Sequence, residues 1–149
     1  MKPLFALVLL AFAAAPADAQ ETAPEADVPL IVPADEIAPD ALLWIKRPLV
    51  VFADTPADPR YVEQMGYITD RIDALAVRDV VVITDTDPSA RSEWRQELRP
   101  RGFGLVLVGK DGEIYLRKPL PWQVREIVRS IDKLPARQRE MRDGTTGGS

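Results

Sequence analysis

Seven side chains are of the right type and spacing to act on one ligand. Asp54 follows the apolar run Leu49–Ala53, and Asp85 follows the apolar run Val80–Thr84. Arg60, Arg99, Arg101 and Lys118 supply cations, and Trp122 an apolar wall. Arg99 and Arg101 flank Pro100, which biases Arg99 to an extended backbone, and Gly102 follows. Two long cations are thereby placed on a stiff bend just before the apolar run that starts at Phe103. Paired guanidinium groups suit bidentate contacts to carboxylate or phosphate oxygens. Asp54, Arg60, Asp85, Arg99, Arg101, Lys118 and Trp122 are therefore the candidate site for a small anion or the carboxylate of a protein partner. The competing expectation is internal: the arginines pair with Asp54 and Asp85 and lock the loops, while Asp58 and Asp87 serve as helix caps.

Composition removes other chemistries. Of 149 residues none is cysteine or histidine. That excludes a thiol redox couple, a Cys–His nucleophile pair and the usual zinc ligand sets. No cofactor and no metal is expected; a divalent ion on Asp54, Asp85 and Asp87 would need further ligands. The net charge of −4 conceals an asymmetry. Residues 20–87 hold 5 Lys/Arg against 14 Asp/Glu, a balance of −9, and residues 88–142 hold 13 against 7, a balance of +6. The halves neutralise each other or give a basic face that meets an anion. The acidic total argues against nucleic acid.

Positioning these residues requires a small α/β domain. Pro48–Ala53 and Asp79–Thr84 are short, continuous apolar runs rich in β-branched residues, the pattern of buried strands. Between them Asp58-Pro59 opens a helix on which Tyr61, Met65, Ile68, Ile72 and Leu75 form one stripe. A strand–helix–strand order makes the two strands parallel with a right-handed crossover. Asp87-Pro88 starts a second helix reaching Leu98, with Ala90, Trp94 and Leu98 inward. Phe103–Val108 and Glu113–Arg117 flank Asp111-Gly112, which predicts a hairpin with a type I′ turn. A last helix from near Trp122 carries Val124, Ile127, Val128 and Ile131, and Pro135 ends it. Trp44 is expected to plug one end of the core. The result is a thioredoxin-like three-layer fold with a mixed sheet in β-α-β-α-β-β-α order. The parallel strands end at one edge, where open α/β sheets take ligands, and the first helix aims its N–H groups there.

The ends read differently. Lys2, the twelve-residue apolar stretch Leu4–Ala15 and Ala17-Asp18-Ala19 make residues 1–19 a secretory signal peptide, too short to span a bilayer. Residues 20–39 are a disordered or extended leader, 40–142 the domain, and 143–149 a flexible tail. The mature protein is expected in the periplasm or secreted, with no transmembrane segment.

Lys110-Asp-Gly-Glu113 resembles the Lys-Asn-Gly-Glu turn of thioredoxins. In that frame Ala57-Asp58-Pro59-Arg60 stands where the Cys-Gly-Pro-Cys motif would be, and Gly104 stands at the cis-proline position. A closer resemblance is to the bacterial domain of unknown function 4174 family, thioredoxin- or peroxiredoxin-like domains related to modules of some animal matrix proteins. It is carried by WIKRPLVVFAD from Trp44, RDVVVITDTDP from Arg78, LRPRGFGLVLVGKDGEI from Leu98 and RKPLPW from Arg117. The resemblance implies the fold and export, and no thiol oxidoreductase activity. In peroxiredoxins an arginine near the start of the equivalent strand faces the reactive cysteine, and Arg101 is its nearest match. Separately, Asp85-x-Asp87 after a buried strand resembles the first motif of haloacid-dehalogenase-type phosphatases, which implies a nucleophile, a general acid and Mg²⁺. The leading reading is thus an exported, non-catalytic binding domain. The alternative is a cysteine-free, carboxylate-based enzyme at the same edge.

Processing is directly measurable. Mass spectrometry of exported protein should place its N-terminus at Gln20. Membrane-bound protein that retains Met1 would identify the segment as an anchor instead.

Overall fold

The computed structural model describes residues 28–146. Five strands make one mixed sheet: β1 (Ile31–Pro33), β2 (Arg47–Phe52), β3 (Val80–Asp85), β4 (Gly104–Val108) and β5 (Ile114–Lys118). Their order across the sheet is β1-β3-β2-β4-β5. β1 and β2 both run parallel to β3, β4 is antiparallel to β2, and β5 is antiparallel to β4. The helices are α1 (Pro59–Asp70), α2 (Ile72–Ala76), α3 (Glu93–Leu98), α4 (Val124–Asp132) and α5 (Pro135–Thr146).

Alternation of side chains along the strands divides the core between two faces. Leu49, Val51, Val82, Leu105 and Leu107 meet Ile68, Leu75, Val124, Ile127 and Ile131 of α1, α2 and α4. Val50, Phe52, Val81, Ile83 and Val106 meet Trp94 and Leu98 of α3 and Leu42 of a 3-10 turn at Pro39–Leu42. The expected thioredoxin-like α/β fold is present. All six residues of β2 are buried, as a strand paired on both sides and covered on both faces requires.

Several local expectations change. Residues 31–33 of the expected leader are the edge strand β1, so the ordered chain starts before residue 40. The signal segment 1–19, the leader up to residue 27 and the last three residues lie outside the described residues. The first helix breaks at Arg71, where φ is −135°. Two residues earlier the Thr69 hydroxyl donates to the carbonyls of Met65 and Gly66, and such back-bonding loosens the helical ladder. The second helix is a 3-10 turn at Pro88–Ala90, a left-handed Arg91, then α3 capped by Ser92; Ala90 is exposed. The hairpin is not a two-residue type I′ turn. Gly112 N–H donates to Gly109 O and Gly109 N–H to Glu113 O, and only Gly112 of the Asp-Gly pair has positive φ, at 82°. That is a three-residue loop ending on a left-handed glycine. Trp44 does not plug the core; it is 75% exposed, because the chain turns left-handed at Trp44 and Leu42 packs inward instead.

The largest correction is at the C-terminus. Pro135 starts α5 rather than only stopping α4, and Asp143–Thr146 of the expected tail are helical. Glu140 on α5 is an anchor. Arg47, 1% exposed at the head of β2, donates to Glu140 at 2.8 Å and to Arg78 O at 2.9 Å. Lys110 reaches both Glu140, at 2.9 Å, and Asp79, at 2.8 Å. Arg78 in turn holds Asp132 of α4 through two hydrogen bonds. Burial alone would raise the Glu140 carboxyl, but hydrogen bonds from Arg47 and Lys110, with their charges, outweigh it and lower the pKa to about 2.

Glu140 therefore stabilises the fold while ionised. That contribution is complete above its ordinary pKa of 4.5 and is lost as pH falls toward about 2. Glu140→Gln should cost about 3 kcal/mol at neutral pH, since it leaves the Arg47 guanidinium buried and uncompensated. Urea denaturation followed from neutral pH to pH 3 should show wild type losing this advantage over the variant as the medium acidifies.

Candidate functional site

Strand register builds the expected edge. Phe52 lies beside Asp85 and beside Gly104, and Leu105 lies beside Lys118. The ends of β2, β3 and β5, the start of β4 and the start of α1 thus form one rim.

Within the rim Asp85 is occupied. It is 6% exposed, and Arg95 Nε donates to it at 2.7 Å. Ser92 donates its hydroxyl to the other carboxylate oxygen. Arg95 Nη2 also donates to the carbonyls of Ala53, at 2.7 Å, and Asp85, at 3.2 Å. Its guanidinium lies 5.4 Å from the centre of the Phe52 ring. One arginine thus ties together the ends of the two central parallel strands. The expected pairing of Asp85 with Arg99 or Arg101 is replaced by Arg95. Sequence reasoning passed over Arg95, whose partner Asp85 lies ten residues back across a turn that the sequence pattern does not reveal.

The other aspartates are also committed. Asp87 accepts from the N–H and hydroxyl of Ser89, bonds that lower its carboxyl pKa. The Asp85-x-Asp87 pair therefore presents no free acid couple. Among the described residues no group of three acidic side chains converges on a common point. Asp58 accepts from the Arg60 side chain at 3.0 and 3.2 Å and from Arg60 N–H at 2.9 Å, which holds the carboxyl below its usual range. The N-terminus of α1, expected to offer N–H groups to a ligand, is capped by this internal carboxylate. Asp54 is exposed and contributes its charge to Arg60.

The aromatic side of the rim is rigid. Gln64, fully buried, donates to Trp122 O at 3.0 Å and accepts from Trp122 N–H at 2.7 Å. A glutamine on the inward stripe of a helix needs both amide ends satisfied, and here it fixes the backbone that carries Trp122. Lys118 Nζ sits 4.6 Å from the Trp122 ring centre, and the Arg60 guanidinium 5.7 Å from that of Phe103. Tyr61, near Thr84, has its phenol pKa raised by burial.

Arg99 and Arg101 remain. Both are exposed, and neither side chain has a hydrogen bond or ion pair among the described residues. Arg99 is not extended as the residue before a proline should be. It ends α3 in the left-handed region, φ 47° and ψ 59°, its N–H donating to Arg95 O. That position usually takes glycine. Here closing α3 overrides the local proline bias. The rim thus offers two free guanidinium groups, two aromatic-stacked cations and one exposed carboxylate.

A family model described as Domain of unknown function (DUF4174) matches residues 39–140. No curated protein matches the chain. Among solved structures, Prx1a of Plasmodium yoelii is similar at 15% identity and TM-score 0.53, with 69% of this chain and 81% of that one covered. The reduced 2-Cys peroxiredoxin of Plasmodium vivax is similar at 14% identity and TM-score 0.54, covering 69% and 83%. At these identities the likeness is one of fold.

The committed and the free charges should separate in denaturation experiments. Asp85→Asn should cost about 3 kcal/mol, because it leaves Arg95 buried without its counter-charge. Asp87→Asn should cost far less, because the group is exposed and asparagine caps about as well as aspartate. Equal losses at the two positions would contradict the central place given to Arg95.

Proposed function

The chain belongs to the domain of unknown function 4174 family, and on that premise we propose that it is an exported, non-catalytic thioredoxin-like domain whose rim binds a protein partner or small ligand through an anionic group. The fold is shared with peroxiredoxins, but this chain has no cysteine and so no thiol to carry their chemistry. The observation that carries the reading is the state of Arg99 and Arg101. Asp85, the buried acid of the rim, is neutralised by Arg95, so these two arginines are left exposed and without a partner among the described residues.

The local backbone supports the same reading. A left-handed Arg99 costs on the order of 1 kcal/mol relative to glycine, a cost that closing α3 does not explain, since glycine would close it better. Two guanidinium groups on one bend can grip the two oxygens of a carboxylate or a sulfate-like anion in bidentate fashion. Export follows from the signal-like residues 1–19.

Thermal melts with and without an anion test this. Arg101→Ala should leave the melting temperature of the free protein nearly unchanged, since surface substitutions stay within about 0.5 kcal/mol. It should also remove the stabilisation given by sulfate or an acidic peptide. A large drop in melting temperature with the ligand response intact would sink the binding site and make Arg101 a structural residue.

A further inference from the structure

At the opposite end of the sheet lies a groove of about 460 Å³, within the range of small-ligand sites. We propose that it is a second binding site, for a neutral carbohydrate. It is separate from the rim and stands or falls independently of it.

Two aromatic side chains line the groove, Trp44 on a pinned turn and Tyr115 with its ring seated. Trp44 is 75% exposed at φ 65°, and the turn that presents it is fixed on both sides. Its own N–H donates to Lys110 O at 2.7 Å, and the N–H groups of Ile45 and Lys46 both donate to Leu42 O. A large aromatic in the left-handed region, pointing to water, is neither a core residue nor a good turn residue. Tyr115 donates its hydroxyl to Asp111, and its ring lies so close over Gly109 that a Cβ there would collide with ring carbon Cε2. The missing side chain at 109 makes the seat for the ring.

The charges of the groove decide what the rings stack on. Arg47, Lys110 and Arg139 line it with Asp111, Glu140 and Asp143, so the lining sums to zero. Arg47, Lys110 and Glu140 are already paired with one another. A net-charged ligand gains no field here and would have to break those pairs. A purely apolar ligand would strip water from the ionic groups and give nothing back. A sugar ring meets both conditions. Its C–H face stacks on an aromatic face, and its hydroxyls donate to Asp111 and Asp143 and accept from Arg139. The pinned turn at Trp44, the seated Tyr115 ring and the paired charges reduce the ordering left for the ligand to impose.

Tryptophan emission gives the test. Trp44 is the exposed indole, Trp94 being 2% exposed and Trp122 half-buried. Chitotriose, cellotriose and maltotriose should each be titrated into the intact chain. The expected result is a saturable blue shift with at least one of them, insensitive to added salt because the ligand is neutral. Trp44→Ala and Tyr115→Ala, both at exposed positions, should each weaken that binding at least about tenfold without lowering the melting temperature. No response to any of the three sugars would overturn the proposal. So would undiminished binding in both variants, or a response confined to a charged peptide and lost in salt.

Discussion

A guanidinium buried at the head of the central strand sets a condition that the rest of the chain has to meet. Arg47 begins β2, the strand that pairs on both sides and has no exposed residue. Its charge cannot be left unmatched in that setting, and no acid near it in sequence answers it. The acid comes from Glu140, ninety-three residues later, and Lys110 of the hairpin loop shares it. Closing that triangle fixes three elements at once: the start of β2, the β4–β5 loop and α5. Buried ion pairs of this kind add little to stability relative to apolar packing, but breaking one is costly, so they select one arrangement of the elements over its neighbours. Asp85 and Arg95 repeat the device at the other end of the same strands.

The layered core was legible because apolar runs and helical stripes report burial directly. β2, β3, β4 and the inward residues of α1 and α4 follow from that signal, as does the gathering of Asp85, Gly104 and Lys118 at one edge. What escaped depends on partners distant in sequence. β1 is three residues long and carries a proline, so it has no period to detect and exists only because β3 offers it an edge. α5 is polar nearly throughout and is held by polar contacts, Glu140 to Arg47 and Lys110, and Arg137 and Gln138 to Asp132, rather than by a stripe. Arg95 rather than Arg99 or Arg101 took Asp85 because α3 is capped by Ser92, five residues after the Asp87 cap that the Asp-Pro pair suggested. The proline rule at Arg99 and the inward role of Trp44 failed for the same reason: each was overruled by a turn whose hydrogen bonds lie elsewhere.

The fold is shared with peroxiredoxins, and in this chain the strand ends converge with α1 beginning beside them because packing dictates those positions. The buried carboxylate at that edge, Asp85, is neutralised internally by Arg95. Cation, aromatic ring and glutamine then hold the remaining wall in place. The rim is a rigid surface whose chemistry lies in outward-facing charge.

The unequal way in which the two ends of the ordered chain are fastened has a mechanical side. Tension entering through β1 runs along a strand parallel to β3. The bonds from Val82 N–H to Leu30 O and from Ala34 N–H to Thr84 O are then loaded together, in shear. Tension entering through α5 meets the Arg47–Glu140 and Lys110–Glu140 pairs, which converge on one carboxylate and are let go together when it moves. A domain tethered at both ends therefore yields from its C-terminal side. It releases α5, which supplies Arg139, Glu140 and Asp143 to the groove beside Trp44, so that groove comes apart before the sheet is touched.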